Sequence, residues 1–304
     1  MNELPVIAIF GATATGKTSV AAEVARTLSA RGLESEAVSA DAYAVYREIP
    51  IITGAPTAAE QQTLKHHCVG IRSVTDEFSV GEFMGHAHSA IDQIRAEGKV
   101  AIVVGGTGLY LRAALSDLDL KPPVDPDLRA VLETRLDQEG AEALHAELVG
   151  LEPEVASRLR TSDPRRIIRA LELAKSGLPP HKSVAALWEQ PPRHPTVALG
   201  LVRDREERRH LISERVDRML ELGAVSEVAT AWELGPSRTA AAAIGMRELR
   251  SGDVESMRNR TQQFAKRQGT WLRRLEDTEI VTLSGTDLTA PIGRILHLFD
   301  SRSA

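Results

Sequence analysis

Short unbroken apolar runs alternate with longer stretches of helical periodicity along much of the chain. Such runs are typical of strands buried on both faces of a parallel sheet, whereas an apolar position every three or four residues is typical of amphipathic helices. The predicted strands are 6–10, 36–40, 99–104, 196–202 and 279–283. The alternation predicts an α/β fold in which helices flank a parallel sheet.

The helical stretches carry recognisable start signals. Ser79 and Glu82 form a capping-box pattern before a helix that runs to about residue 98. A long helix after the fourth strand is predicted from one apolar stripe, and an amphipathic helix ends the chain. The stripe consists of Leu211, Val216, Met219, Leu220 and Val225.

The middle of the chain breaks this alternation. Residues 125 to about 188 contain no convincing strand pattern, only charged amphipathic helices. Two of these helices begin alike, with Asp125 before Pro126 and Asp163 before Pro164, which are an N-cap and a first helical residue. We therefore predict a core domain of residues 1–120 and 196–304 with an all-helical insertion at 121–195.

The first strand leads into a glycine-bounded loop that matches the phosphate-binding pattern G-x-x-x-x-G-K-[ST]. Its glycines allow backbone N–H groups to converge on phosphate oxygens, and the helix that follows adds a partial positive charge. Lys17 supplies a full charge, and the Thr18 hydroxyl is placed to ligate Mg²⁺. The predicted diphosphate-binding residues are Gly11, Ala12, Thr13, Ala14, Thr15, Gly16, Lys17 and Thr18.

Two other strand ends bring polar groups to the same edge, where open α/β sheets bind ligands. Asp41 follows the second strand; its position fits both a turn or cap residue and a site carboxylate. The third strand ends in Gly105-Gly106-Thr107-Gly108, whose glycines allow close approach to a ligand. His66-His67-Cys68 is predicted to be structural or ligand-lining, because adjacent side chains diverge and no second ligand group follows at zinc-like spacing.

The segment 258–274 carries six basic residues and no acid, although the formal net charge of the protein is −5. Arg260, Arg267 and Arg274 fall on one helical stripe beside Phe264, Gln268, Trp271 and Leu275. Such a stripe favours a nucleic-acid phosphate track. A core helix whose arginines face water is the alternative. Likewise Arg165, Arg166 and Arg169, near a helix N-terminus, either meet an anionic partner or form a solvated face paired with Glu172.

Composition adds few constraints. The 304 residues are 42% hydrophobic and 26% charged, as in ordinary globular proteins. Cys68 is the only cysteine, so no internal disulfide forms. The sequence has no basic leader and no apolar run long enough for a bilayer, and we expect a cytoplasmic protein.

Taken in order, these motifs resemble the tRNA dimethylallyltransferase (tRNA isopentenyltransferase) family. The resemblance implies a P-loop NTPase-like parallel sheet flanked by helices, with the all-helical insertion contacting tRNA. The matching segments are 11–18, 39–41, 45–47, 56–57, 66–67, 78–80, 105–110, 125–129, 163–172, 215–217, 243–245 and 264–271.

The implied reaction transfers a dimethylallyl group from dimethylallyl diphosphate to N6 of the adenosine adjacent to the tRNA anticodon (position 37), releasing pyrophosphate. The phosphate loop would then hold the prenyl diphosphate and not ATP. Asp41 would take the N6 proton, Thr107 would contact the diphosphate, and Arg129 would help Lys17 and Mg²⁺ to stabilise the leaving charge. The implied partners are this donor and the anticodon stem-loop, with no membrane and no obligate protein partner.

The same resemblance implies a tRNA-binding surface. Its residues would be Asp41, Ala42, Tyr43, Ala44, Thr107, Arg129, Arg165, Arg166, Arg169, Arg247, Lys266, Arg267, Gln268, Trp271 and Arg273. The chain departs from the family at Ala42 and Ala44, where Ser and Gln would hydrogen-bond the target base.

Three alternatives stay open at this stage. An adenylate isopentenyltransferase, which makes cytokinins, performs the same chemistry on a free nucleotide, but the helical insertion and the basic stripe favour a polynucleotide. A P-loop nucleoside or metabolite kinase is disfavoured because no acid ends the 99–104 strand. A nucleic-acid-binding P-loop ATPase without transferase chemistry is the third.

Overall fold

A computed structural model of the protein describes residues 3–121, 124–180, 190–272, 275 and 278–303. Within these residues, six strands form one parallel sheet in the order β3-β2-β4-β1-β5-β6. The strands are β1 Val6–Gly11, β2 Ser35–Ala40, β3 His66–His67, β4 Val100–Gly105, β5 Thr196–Arg203 and β6 Thr278–Leu283. The first strand lies between β4 and β5, so the loop after it opens at the middle of the sheet.

The five predicted strands are confirmed, each within one residue at either end. The sixth, β3, was not predicted. It consists of His66 and His67 paired with Ala37 and Val38 of β2. Two residues carry no periodicity, so only the pairing with β2 defines this strand.

Helices connect and flank the strands. In chain order they are α1 Lys17–Ser29, α2 Pro50–Thr53, α3 Ala58–Thr63, α4 Val80–Ala96, α5 Gly108–Leu115, α6 Pro126–Leu151, α7 Pro153–Ala156, α8 Pro164–Lys175, α9 Arg205–Glu221, α10 Ala224–Glu233, α11 Met246–Arg250, α12 Val254–Leu272 and α13 Thr289–Ser303. None of the helices in the described part of the chain combines the length and apolar character that a membrane crossing requires.

The sheet is held by a core that it shares with α1 and α13. Side chains of β1, β4 and β5 such as Ile7, Ile102 and Leu199 are fully buried there with Leu28 and Phe299 from the two helices. Helices α4, α5 and α12 also contact the strands. Burying an aliphatic side chain of this kind stabilises the fold by about 1.5–3 kcal/mol, so the sheet is a firm base for the loops at its edge.

The helix start signals are mostly confirmed. The capping box of Ser79 and Glu82 is formed at α4, and Asp125 accepts a hydrogen bond from the backbone of Asp127 at the start of α6. Asp163 does precede α8, but its side chain makes no cap; its carboxylate pairs with Arg166 at 3.2 Å instead.

The predicted long helix after the fourth predicted strand is confirmed as α9 as far as Glu221, but it ends before Val225. Gly223, whose φ of 94° is in the left-handed region that ends a helix, separates α9 from α10. Val225 therefore leaves the apolar stripe and is 53% exposed. The apolar periodicity of the sequence continues by chance across the turn at Gly223, so it gave no sign that the helix ends there.

The chain divides into two compact units, Met1–Leu118 with Gln190–Ala304, and Asp119–Glu189. The expected domain boundaries were 120/121 and 195/196. Within the second unit α6, α7 and α8 share a core of buried residues that includes Leu144, Leu148 and Ile167. Helix α6 kinks at Gly140, which has a φ of 83°. Residues 122–123 and 181–189 of the predicted insertion lie outside the described residues.

Candidate functional site

A pocket lies at the carboxyl ends of β1, β2 and β4, all within the sheet-containing unit. The polar and charged residues that line the pocket include Thr13, Lys17, Thr18, Ser39, Asp41, Tyr43, His66, Arg215 and Gln268. The predicted convergence of phosphate loop and Asp41 at one edge is thus observed. Its apolar lining residues include Ile52, Val216, Met219, Ile244, Met257 and Phe264.

The phosphate loop is folded around one carbonyl group. The Ala12 oxygen accepts hydrogen bonds from the Thr15 hydroxyl at 2.8 Å and from the Lys17 ammonium at 2.9 Å. Gly16, with a φ of 86°, turns the chain into α1. A side chain at Gly11 would collide with the Thr15 hydroxyl and with the backbone of β5. These contacts within the protein therefore hold the phosphate loop in its curved shape.

Two half-buried cations, Lys17 and Arg215, face the pocket together. Burial, followed by repulsion from Arg215, lowers the pKa of Lys17 to about 8, and the nearby Asp41 carboxylate opposes this shift. Burial also lowers the pKa of Arg215, again against the attraction of Asp41. Since one carboxylate stands against two cations, the pocket has an excess of positive charge that suits an anionic ligand.

The lowered pKa of Lys17 makes a testable prediction. The protonated form binds an anion, so affinity for inorganic pyrophosphate should fall as the pH rises through about 8, by up to about tenfold per pH unit. In Lys17→Arg the side chain keeps its charge at alkaline pH, so this variant should not show the fall in affinity. Calorimetric titration measures the pyrophosphate affinity of both proteins between about pH 7 and about pH 9.5. Because pyrophosphate ionises in the same way in both experiments, the difference between the two proteins reports on Lys17 alone. Identical pH profiles would contradict the assignment.

Asp41 is held by the turn that follows it. Its Oδ1 accepts hydrogen bonds from the backbone N–H groups of Tyr43 at 2.8 Å and Ala44 at 3.2 Å. The carboxylate also lines the pocket. The turn interpretation of Asp41 is therefore confirmed, and the same turn leaves the carboxylate facing the pocket.

The glycines at the end of β4 bring its backbone close to its neighbours. A side chain at Gly105 would collide with Ala40, and one at Gly106 would collide with Gln268 and Gly11. The backbone of both glycines lines the pocket, whereas Thr107 is not among the lining residues. The Thr107 hydroxyl is buried, and it has no hydrogen-bond partner in the part of the chain that the structure describes.

The histidine pair divides into two roles. His66 lines the pocket, and its Nδ1 lies 2.6 Å from the Leu64 carbonyl oxygen. Burial lowers the pKa of His66, which favours the neutral ring. His67 lies 2.6 Å from the Glu36 carboxylate. No group of three or more His, Cys, Asp or Glu side chains suited to a metal ion occurs among the described residues.

Gln268, which was predicted to bind tRNA, lines the pocket beside the phosphate loop. Its side chain is 3% exposed, and Oε1 accepts a hydrogen bond from the Thr13 N–H group at 2.8 Å. Helix α12 thus presents Gln268 to the phosphate loop. The polar residue on an apolar stripe is a buried contact and not a surface one.

The basic stripe of α12 is only partly available to a nucleic acid. Arg260 pairs with the buried carboxylate of Glu248, and Arg258 pairs with Asp217. Lys266 and Arg267 are exposed, and the Arg267 guanidinium lies 5.7 Å from the ring centre of Phe264. Trp271 is half-buried and Arg247 on α11 is exposed. Arg273 and Arg274 lie outside the described residues.

In the helical unit, arginines surround a buried carboxylate. Glu172 is fully buried, and it pairs with Arg129 at 3.0 Å and with Arg169 at 3.1 Å. The alternative in which these helix-start arginines pair with Glu172 is therefore observed for Arg169, although the carboxylate is buried and not solvated. Arg166 pairs with Asp163, and Arg165 is exposed.

Arg215 is the site residue that the sequence interpretation missed. It lies on α9 between Ile212 and Val216 of the buried stripe, where a charged residue is unusual. Its Nη2 donates to the Thr53 carbonyl oxygen at 3.4 Å, and a side chain at Gly54 would collide with the guanidinium. A cation on the apolar face of a predicted helix was the signal that could have found it.

The chain is similar over most of its length to proteins named tRNA dimethylallyltransferase. The sequence model of the family described as IPP transferase matches residues 44–275. A tRNA dimethylallyltransferase from Thermobifida fusca is 37% identical over 281 residues, which cover 88% of this chain and 87% of the relative.

Solved structures agree with this. The full-length tRNA isopentenylpyrophosphate transferase from Bacillus halodurans has a TM-score of 0.70 and 29% identity, with 98% of this chain and 96% of that chain covered. A eukaryotic dimethylallyltransferase acting on tRNA has a TM-score of 0.71 and 27% identity, with 94% of this chain and 75% of that chain covered. The fold is accordingly P-loop NTPase-like, as expected.

Proposed function

Because the chain belongs to the IPP transferase family, whose members are tRNA prenyltransferases, we propose its donor, its acceptor atom and the roles of its residues. The donor is dimethylallyl diphosphate, and the acceptor is N6 of the adenosine adjacent to the anticodon, at position 37 of tRNA. Pyrophosphate is the second product.

One observation carries this proposal: the pocket is lined both by cations and by apolar side chains. Lys17 and Arg215 suit a diphosphate, and Met219, Met257 and Phe264 suit a short branched hydrocarbon chain. A prenyl diphosphate is a molecule with these two ends. Apolar walls also exclude water, which would otherwise compete for a reactive allylic carbon.

In the proposed reaction N6 attacks C1 of the dimethylallyl group while the C1–O bond to the diphosphate breaks. The bonding electron pair leaves with pyrophosphate, whose growing negative charge Lys17, Arg215 and the loop N–H groups stabilise. The N6 proton passes to the Asp41 carboxylate, whose Oδ1 is already held by two backbone amides. Asp41 therefore acts as the general base.

The site also fits a Mg²⁺ ion. The Thr18 hydroxyl lines the pocket beside the phosphate loop, and the described residues offer no all-protein cage for a metal. Mg²⁺ commonly takes one or two protein oxygens and completes its shell with phosphate oxygens and water. Thr18 would hold the ion, which would neutralise charge on the diphosphate.

The acceptor base approaches over the turn after β2. Tyr43 and Ala44 line the pocket beside Asp41. Ala42 and Ala44 cannot hydrogen-bond a base through their side chains, so we infer that base contacts come from Asp41, backbone groups and Tyr43. The base must leave the single-stranded anticodon loop to enter the pocket, at a cost of about a few kcal/mol.

For the tRNA backbone we propose the exposed cations as contacts. These are Lys266, Arg267, Arg247, Arg165 and Arg166. Arg129 and Arg169 share their charge with the buried Glu172, so their contribution should be smaller. Thr107 does not line the pocket, so we propose no direct substrate contact for its buried hydroxyl.

The proposed contacts of Lys266 and Arg267 with the tRNA backbone predict how tRNA binding depends on salt. Lys266→Ala with Arg267→Ala should weaken tRNA binding whatever the sequence and reduce the log–log salt slope by roughly two, about one for each phosphate contact. Filter binding from about 50 to about 200 mM salt measures the slope. The matched control is Arg26→Ala with Arg31→Ala, which removes the same charge from exposed residues of α1 and its end. If the two double variants have equal salt slopes for tRNA binding, Lys266 and Arg267 do not contact the tRNA backbone.

The reaction itself is tested with radiolabelled dimethylallyl diphosphate. We expect label to appear in tRNA and not in AMP, with no ATP turnover above background. Labelled AMP would favour an adenylate isopentenyltransferase. ATP hydrolysis stimulated by a small acceptor would favour a kinase.

A further inference from the structure

Gln268 joins the last third of the chain to the phosphate loop. Its Oε1 accepts hydrogen bonds from the Thr13 N–H group at 2.8 Å and from the Thr13 hydroxyl at 3.2 Å. The two residues are 255 positions apart, so only the tertiary fold brings them together. Because a backbone N–H group can only donate, the acceptor must be the amide oxygen, which fixes the orientation of the carboxamide.

The other end of this carboxamide lies against β4. A side chain at Gly106 would come closer than 3.0 Å both to Nε2 of Gln268 and to the carbonyl oxygen of Gly11. Glycine at 106 therefore provides the space that the carboxamide occupies. The strand end, the loop start and Gln268 meet at one point.

Thr13 differs from the rest of the loop in where its hydrogen bonds go. Thr15 and Lys17 donate to the Ala12 carbonyl oxygen inside the loop, whereas Thr13 donates outward to Gln268. Without that acceptor both Thr13 donors would lack a protein partner in part-buried surroundings. Rigid placement of loop N–H groups before the ligand arrives is what makes such a loop bind phosphate well.

We propose that Gln268 is a positioning residue that acts through Thr13. Its carboxamide holds the phosphate loop in the shape that receives the donor diphosphate. The identity of the diphosphate as the prenyl donor rests on the proposed function. The positioning of the phosphate loop by Gln268 does not depend on it. Because Lys266 and Arg267 lie on the exposed side of the same helix, loss of the carboxamide should affect diphosphate and leave tRNA affinity unchanged.

The test compares Gln268→Met, Thr13→Val and the double variant with a matched control, Gln263→Met, on the exposed side of α12. Methionine keeps the length of glutamine without its hydrogen-bonding groups. Calorimetry with inorganic pyrophosphate gives the diphosphate affinity, filter binding gives the tRNA affinity, and thermal melting reports on the fold.

Gln268→Met should weaken pyrophosphate binding about tenfold, the typical effect of losing a buried hydrogen bond, with tRNA affinity and melting temperature close to wild type. Thr13→Val should have a smaller effect. The double variant should match Gln268→Met and not multiply the two effects, because the Thr13 hydroxyl acts only through Gln268. The control should bind as the wild type does.

Wild-type pyrophosphate affinity in Gln268→Met, or multiplying effects, would overturn the proposal. So would equal losses of pyrophosphate and tRNA affinity with a lowered melting temperature, since that pattern indicates core packing alone. If Gln268→Met does not fold, Thr13→Val must weaken pyrophosphate binding and Thr13→Ser must restore it, or the proposal fails. Normal pyrophosphate binding in wild-type protein that transfers no prenyl group would refute the proposed function and leave this inference standing.

Discussion

Asp41→Asn should lower the rate of prenyl transfer to tRNA by about 10²–10⁴-fold, the usual contribution of a general base. Asparagine can still accept the hydrogen bonds from Tyr43 and Ala44 through its amide oxygen, so the turn should persist. It cannot accept the N6 proton. Pyrophosphate affinity should stay near the wild-type value, because Lys17 and Arg215 retain their charges. Single-turnover transfer of labelled donor at saturating tRNA measures the rate.

The matched control is Asp204→Asn. The Asp204 carboxylate also accepts hydrogen bonds from two backbone amides, those of Glu206 at 2.8 Å and Glu207 at 3.1 Å, but it lies outside the pocket. This substitution should leave the transfer rate unchanged. A wild-type rate in Asp41→Asn would remove Asp41 from the mechanism. A large loss of pyrophosphate affinity in that variant would instead indicate that the turn has collapsed.

The fold was largely predictable because its signals are local. Buried parallel strands are continuous apolar runs, so five of the six observed strands could be recognised from composition and length alone. The exception, β3, has two residues and exists only through its pairing with β2. The break at Gly223 was missed for a related reason, since apolar residues on its two sides happened to stay in phase.

The family and the phosphate loop were also predictable, and the comparisons confirm the family. A loop between a strand and a helix is encoded in consecutive residues. Asp41 could be placed because parallel strands end at one edge. The turn that fixes its carboxylate could only be weighed as an alternative, because sequence alone does not say whether one side chain serves both purposes.

What could not be predicted depends on which distant residues meet. An arginine stripe has the same sequence pattern whether its side chains face water or pair with a buried acid. In the structure Arg260 forms an ion pair with the buried Glu248. The contact between Gln268 and Thr13 was not predicted, because nothing local indicates that the two residues lie next to each other. Arg215 was overlooked because its role depends on Lys17 and Asp41, which lie some 170–200 residues away in the sequence.

Arg215→Met should lower the transfer rate by about 10²–10³-fold, as is typical when one stabiliser of a leaving anion is removed. It should also weaken pyrophosphate binding by about 10–100-fold, because a charge-assisted contact is lost. Methionine fills much of the same space between Ile212 and Val216, so the helix should keep its packing. The matched control, Arg218→Met, removes an exposed arginine from the same helix and should change neither quantity.

The pH dependence separates an electrostatic role of Arg215 from a steric one. Repulsion from Arg215 is the second cause of the lowered pKa of Lys17, after burial. Without that repulsion Lys17 holds its proton to higher pH, so the loss of pyrophosphate affinity that begins near pH 8 in the wild type should begin later in Arg215→Met. The variant would thus bind more weakly at neutral pH but lose less affinity on going to alkaline pH. An unshifted profile would mean that the two cations do not interact across the pocket, and the excess of positive charge would then not be what selects a diphosphate.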